Sequence, residues 1–253
     1  ETDGKRSLRN GPPASQAFTA ATFSSPNRTL MRRVFRMLTL KQILSQVRPG
    51  DCFCSLDLKD AYFNIQIALH HRQFLRFAFE GVAYQYTVLP LKLFLAPRTF
   101  TKCMDAALSS LREKGIRILN YLDDWLILAQ SENELLSHRS FLLSHLDCLG
   151  LGVNFAKSAL SPSQWILFLG TVLDSTLMRT VVMPECALAI QQLAASFKIG
   201  ASRPLKAFQK MLGLMASVSP LLQLGLLRMR PLQHWLKLRV PSHAWRHGCL
   251  RVK

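Results

Sequence analysis

Asp123 and Asp124 stand side by side between two apolar runs, Gly115-Ile-Arg-Ile-Leu-Asn ahead of Tyr121-Leu122 and Trp125-Leu-Ile-Leu-Ala behind. Such runs around an acidic pair predict two strands joined by a tight turn, with the polar tip at a sheet edge. Adjacent like charges want a counter-ion. The flanking strands offer one basic side chain, Arg117, so a divalent cation is the stronger candidate. The competing reading is a plain turn, which Asp favours on its own. A third acid shifts the balance. Cys52-Phe-Cys-Ser-Leu-Asp57 reads as a buried strand ending on a carboxylate, and an apolar strand rarely closes on an unpaired charge. If Asp57 lies beside the Asp123–Asp124 tip, the trio can hold two hard cations roughly 3.5–4 Å apart, as in-line phosphoryl displacement requires.

The wider pattern is specific. Leu56-Asp57-Leu58-Lys59-Asp60-Ala61-Tyr62-Phe63 resembles the first catalytic motif of reverse transcriptases, and Tyr121-Leu122-Asp123-Asp124 resembles their aspartate-pair motif. Between them, Tyr86-Thr-Val-Leu-Pro90 with Leu95-Ala-Pro97-Arg-Thr-Phe is similar to the middle motif. Downstream, Leu149-Gly-Leu-Gly-Val-Asn-Phe-Ala-Lys157-Ser and Phe168-Leu-Gly170 resemble the lysine-bearing motif and the primer-grip hairpin. The ordered set covers about residues 50–175. The run from Ile118 to Ala129, with a helical tail after it, is most similar to polymerases of tyrosine-recombinase retrotransposons, the DIRS group.

The resemblance implies an α+β fold: a polymerase palm of antiparallel sheet backed by two helices, then a helical thumb or connection, with the fingers incomplete. It implies two Mg²⁺ ions, or Mn²⁺, held by Asp57, Asp123, Asp124 and the Leu58 carbonyl. It places the incoming deoxynucleoside triphosphate at Asp60, Ala61 and Tyr62, with the Tyr62 ring excluding a 2′-hydroxyl. Lys157 takes the place of the general acid for the pyrophosphate leaving group, and Phe168, Leu169 and Gly170 that of the primer grip. Core packing is the alternative for Tyr62, Phe168 and Leu169, and an ordinary surface position for Lys157. The implied partners are an RNA or DNA template with its primer, and no membrane. One stretch departs from the pattern. Lys92 stands where the family has Gly, and Phe94 where a small residue is usual; a long side chain resists φ > 0, so an altered turn is expected at Leu91–Phe94.

The elements that must position these residues read in order. Leu40–Val47 predicts a short helix stopped by Arg48-Pro49-Gly50. Gln73–Phe79 and Val82–Val88 predict a hairpin about Glu80-Gly81. Pro97 to Lys114 predicts a helix closed by Gly115. Ser131 and Glu134 have capping-box spacing for a helix reaching Leu149. After Pro184 come three helical segments, Glu185–Phe197, Pro204–Ser217 and Pro220–Trp235, where Lys198, Arg203, Lys206 and Lys210 face either duplex phosphates or solvent. The expected segments are a degenerate fingers remnant over 1–38, the palm over 39–175, the thumb or connection over 176–235 and a truncated tail over 236–253. Lys5 and Arg6 match no triphosphate-gripping residue, and residues 1–29 carry no hydrophobic period.

Composition narrows the class. Lys plus Arg number 32 against 15 acids in 253 residues, a formal charge of +17, which points to a polyanionic partner and salt-sensitive binding. The 49% hydrophobic content excludes a wholly disordered chain. Six cysteines without zinc spacing predict reduced thiols in an intracellular setting, cytoplasmic or nuclear, and the first residues are not a secretory signal. Leu221–Leu227 is too short to span a bilayer. The expected reaction is template-directed extension of a primer 3′-hydroxyl. Its rivals are an inactive nucleic-acid-binding remnant and a two-metal nuclease, although no ribonuclease H-type acidic constellation occurs in residues 175–253.

Overall fold

The computed structural model of the chain describes residues 6–7, 24–31, 33, 35–79, 81–240 and 249–251. Two compact units emerge: residues 1–39 with 51–163, and residues 40–50 with 164–253. Lys5, Glu80 and most of the N-terminal and C-terminal segments named above lie outside the described residues.

The first unit is organised by a four-stranded antiparallel sheet in the order β5-β6-β2-β7, formed by Arg117–Tyr121, Asp124–Ala129, Cys52–Asp57 and Ala159–Ser163. Two helices pack against it, α4 (Ala96–Glu113) on β5 and α5 (Glu132–Cys148) on β2 and β6. The packing follows from period. Ala96, Phe100, Met104, Leu108 and Leu111 form one buried helical stripe, and it meets the alternate residues Ile118, Trp125, Ile127, Cys54 and Leu56 of the strands. Pro97 sits in the first turn of α4 and Gly115 takes φ 85° just beyond its end. At α5 the Ser131 hydroxyl accepts from Glu134 N–H, while the Glu134 carboxylate accepts from Gln130 N–H, one residue ahead of the standard box partner.

A second sheet in this unit follows the single-turn helix α3 (Leu69–Arg72) and pairs β3 (Arg76–Phe79) with β4 (Val82–Gln85) as the predicted hairpin, and β1 (Arg6–Ser7) runs parallel to β4. Residues 24–29, where the sequence carries no hydrophobic period, form a helix, α1 (Ser24–Thr29).

The second unit contains α2 (Leu40–Gln46), the meander β8-β9-β10 (Trp165–Phe168, Thr171–Asp174, Arg179–Val182) and three helices. These are α6 (Pro184–Ala195), α7 (Leu205–Val218) and α8 (Gly225–Arg239), with Leu205, Phe208, Leu236 and Val240 as their core. The last helix starts later than the position of Pro220 suggests and continues past Trp235. Ser219–Leu221 is a 3₁₀ turn and Leu224 is left-handed at φ 58°, which resets the axis before Gly225. Only glycine fits there, since a Cβ would lie 2.3 Å from the Ser219 carbonyl oxygen. Residues 249–251 form β12, paired with β11 (Ser202–Pro204). Cys52, Cys54, Cys103, Cys148 and Cys186 are free, and burial pushes the Cys54 thiol up to about 11, out of the reactive range. Among the described residues no helix is long and apolar enough to cross a membrane.

Asp174 closes the β9–β10 turn. Its carboxylate accepts from the Thr176 hydroxyl at 2.6 Å, from the N–H groups of Thr176 and Leu177 at 3.1 Å each, and from Arg179 Nε at 3.1 Å. The Thr176 hydroxyl, then the Leu177 amide, hold it down at about 2. Its stabilisation is therefore fully present above the ordinary value of 3.8 and disappears as pH falls through about 2. Asp174→Asn is expected to lower the urea midpoint at pH 7, with the gap to wild type closing near pH 2. A constant gap across that range contradicts the assignment.

Candidate active site

The acidic tip is built by register. In the β5–β6 hairpin Tyr121 pairs with Asp124, leaving Leu122 and Asp123 as the two-residue turn. Leu122 has φ 54°, so the first central residue is left-handed, as in the turns that suit the twist of a hairpin. A leucine there is strained by about 1–2 kcal/mol. Trp125, fully buried beneath the sheet, holds it: the indole N–H donates to the Leu122 carbonyl at 2.8 Å.

On the neighbouring strand Asp57 lies directly opposite Asp124. Leu58 N–H donates to the Asp123 carbonyl at 2.9 Å, the bond that flanks a non-hydrogen-bonded pair, in which side chains approach most closely. Asp57 and Asp124 thus project from one face at the same end of the sheet, and Asp123 adjoins them at the tip. Burial, then the charges of Asp123 and Asp57, raise the Asp124 carboxyl above its ordinary 3.8, with Lys157 acting in the opposite sense. The acids share a sheet end without forming a closed cage: among the described residues, no group of three or more His, Cys, Asp or Glu side chains is arranged to hold a metal ion.

Beside them opens a cavity of about 400 Å³. Of the residues singled out from sequence, Asp57, Leu58, Asp60, Ala61, Tyr62, Asp123 and Lys157 line it. Asp60 is left-handed at φ 50° and starts the 3₁₀ turn Ala61–Asn64, which swings Tyr62 under the cavity. There the Tyr62 ring stacks on Phe100 with centroids 4.8 Å apart, so its packing and its cavity position coexist. Burial, with the charge of Asp123, raises the Tyr62 phenol. Leu91 and Asn154 line the same cavity; Asn154 lies within the lysine-bearing stretch and Leu91 opens the departing Leu91–Phe94 turn, but neither residue type marks it as a site residue. A larger cavity, about 680 Å³, lies in the second unit among Phe197, Phe208, Met211 and Trp235, but no acid or base lines it.

The Leu91–Phe94 turn differs from the sequence expectation. Lys92 adopts φ 66°, so the turn is left-handed here without a glycine. The cause is remote. Asn27 of α1 donates from Nδ2 to the Lys92 carbonyl at 3.0 Å and accepts the Phe94 N–H on Oδ1 at 2.7 Å, clamping the turn from both sides. Asn27→Ala is expected to cost about 1–2 kcal/mol by the loss of these bonds. Lys92→Gly is expected to return up to about 1 kcal/mol by relieving the left-handed strain. Urea unfolding of the two variants and their combination measures both, and an unchanged midpoint in Asn27→Ala removes the clamp.

In the second unit Phe168, Leu169 and Gly170 form the tip of the β8–β9 hairpin. Phe168 pairs with Thr171 and is buried, while Leu169 and Gly170 take φ 49° and 73°, the doubly left-handed pattern of tight hairpins. In the second unit Arg203 of β11 spends its Nε on the Ser196 carbonyl at 2.8 Å, whereas Lys198, in the connection after α6, and Lys206 and Lys210 of α7 are exposed.

The sequence matches the family model described as Reverse transcriptase (RNA-dependent DNA polymerase) over residues 14–173. It is similar to the Tf2-3 and Tf2-7 transposon polyproteins of Schizosaccharomyces pombe, at 28% and 27% identity over 144 residues, or 57% of this chain. The chain spans 11% of the length of these curated relatives. Among solved structures it resembles the foamy viral protease-reverse transcriptase in complex with RNA/DNA hybrid, with TM-score 0.70 and 22% identity over 91% of this chain and 29% of that one. The same viral protein in complex with dsDNA gives TM-score 0.68 and 22% identity over 92% and 44%.

Proposed function

Because this chain belongs to the reverse transcriptase family, we propose that it carries out RNA-directed DNA synthesis for a retroelement of the tyrosine-recombinase (DIRS) group. The observation that supports this most is the cross-strand pair of Asp57 and Asp124 with Asp123 beside them, Asp57 and Asp123 lining a cavity that Tyr62 and Lys157 also line. The donor set fits hard cations. All three carboxylates accept no hydrogen bond and enter no ion pair among the described residues, and their mutual repulsion favours a shared positive charge. Asp57, Asp123, Asp124 and the Leu58 carbonyl would hold two Mg²⁺, or Mn²⁺, which supply activation of the primer 3′-hydroxyl and neutralisation of the pyrophosphate.

The chain's own residues account for the rest. Asp60 and Ala61 open the turn on which the triphosphate rests, and Tyr62 places a bulky, Phe100-backed ring where a ribose 2′-hydroxyl would project. Lys157 gives a proton to the departing pyrophosphate. Phe168, Leu169 and Gly170 seat the primer end, where the exposed Gly170 permits close backbone approach. Exposed Lys198, Lys206 and Lys210 contact phosphates of the template–primer duplex, an RNA or DNA template with its primer, so affinity falls with salt. The setting is the interior of the cell, where the thiols stay reduced.

Extension of a labelled DNA primer on an RNA template, with Asp57→Asn as control, tests the reading. Equal incorporation by both proteins removes it. Cleavage of an RNA–DNA hybrid without added nucleotides, lost in the variant, replaces it with a nuclease, and salt-sensitive binding with neither activity reduces it to an inactive binder.

A further inference from the structure

Asp57 lies where the ladder between β2 and β7 breaks. Pairing runs from Phe53 opposite Ser163 to Ser55 opposite Ala159, already with a shift between them, and the next contact is an isolated bridge from Leu58 to Val153. No strand carbonyl of β7 therefore faces the Asp57 N–H. It donates instead to the Ser158 hydroxyl at 3.0 Å. That hydroxyl donates in turn to the Asn154 carbonyl at 2.8 Å, and the Asn154 N–H donates to the Asp57 carbonyl at 2.8 Å. The three bonds close a ring. The Asn154 carbonyl also accepts the N–H groups of Lys157 and Ser158, each at 3.1 Å, so the turn bearing Lys157 hangs from the same atom. Only a side chain that both accepts and donates can close it, and a hydroxyl is the smallest group that does.

We propose that Ser158 is a positioning residue: its hydroxyl stands in for the missing ladder partner and locks the backbone of Asp57 to the turn that carries Lys157. Both groups then face the cavity in one fixed register, although they lie on segments about a hundred residues apart. The kinetic half of this proposal rests on the nucleotidyl-transfer reading above; the structural half does not.

Residue-resolved hydrogen exchange in metal-free protein, combined with single-nucleotide addition, tests it on Ser158→Ala and Ser158→Thr. In Ser158→Ala the Asp57 amide is expected to exchange about tenfold faster, with Leu126 and Ile127 in mid-strand unchanged. Ser158→Thr, which keeps the hydroxyl, restores wild-type exchange. At saturating nucleotide, addition by Ser158→Ala falls about tenfold to a hundredfold, while KM for nucleotide stays within about twofold. Unaltered exchange at Asp57 in Ser158→Ala overturns the ring, and faster exchange with full kcat overturns its coupling to Lys157. If wild type itself adds no nucleotide, the nucleotidyl-transfer reading fails, and the exchange at Asp57 still decides whether Ser158 holds it.

Discussion

Asp124→Asn is expected to lower primer extension at least about 10³-fold, a loss of about 4 kcal/mol of transition-state stabilisation, without weakening the fold. The two halves of this expectation have one origin. Asp124 faces Asp57 across β2 and β6 and adjoins Asp123, so its carboxyl is raised above 3.8 by burial and by two like charges. A group whose folded pKa exceeds its unfolded value binds more protons in the folded state. Folding stability therefore falls as pH rises through that window, and the ionised carboxylate is a net cost at neutral pH. Asparagine removes the cost and keeps the shape. At pH 7 the variant is expected to unfold at an equal or higher denaturant concentration than wild type, and below pH 4 the difference vanishes.

Divalent cation reverses the order. Mg²⁺ at a hundred times its dissociation constant is expected to stabilise wild type by about 2.7 kcal/mol and the variant by far less. Thermal unfolding with and without Mg²⁺, at neutral pH, measures this directly. Equal Mg²⁺ shifts in the two proteins would remove Asp124 from the cation site, and a variant clearly less stable than wild type without Mg²⁺ would mean that the acid is structural.

The largest stability effect is expected at the opposite end of the sheet. Arg117 forks onto Asp51, with Nη1 to Oδ2 at 3.0 Å and Nη2 on Oδ1, and Gln130 Nε2 donates to Oδ1 as well. Asp51 is fully buried, so its charge depends on these partners. Arg117→Met leaves a buried carboxylate without its guanidinium and is expected to cost about 3–5 kcal/mol. Asp51→Asn with Arg117→Met is expected to recover most of it, because the desolvation of both charges disappears together. Denaturation of the two single variants and the double yields the coupling. If the double variant is as unstable as the sum of the singles, the pair does not act as a unit. The clamp joins the residue ahead of β2 to the first residue of β5, so it helps set the register that carries Asp57 to Asp124 at the far end.

Arg117 also shows where reading along the chain stops. As the one base in the hairpin strands it is a natural counter-ion for Asp123 and Asp124, but strand geometry forbids the contact. From Arg117 to Tyr121 the chain advances four residues at about 3.4 Å each, which carries Arg117 roughly 14 Å away from the acidic tip. Lys92 is the second case. A long side chain resists φ > 0, yet two hydrogen bonds with Asn27, one given to the Lys92 carbonyl 65 residues later and one received from the Phe94 N–H, hold the turn there. Leu122 is the third. Nothing in Leu-Asp-Asp announces a left-handed leucine, because the strain is offset by the indole of Trp125, whose alternation in β6 points it beneath the sheet.

The amino-acid sequence alone determined most of the strands and helices around the acids, that Asp57 ends one strand and that Asp123 and Asp124 lie at the tip of a hairpin, and that the whole is α+β. Those features arise from periodicity and turn chemistry acting over a few residues. The tertiary structure decided which acid faces which, where Arg117 is consumed, how Leu122 and Lys92 are held in left-handed backbone, and that a serine hydroxyl accepts the last N–H of β2. Each of these depends on hydrogen-bond partners brought together by strand pairing and packing, and a local rule has no access to a partner whose distance along the chain says nothing of its distance in space.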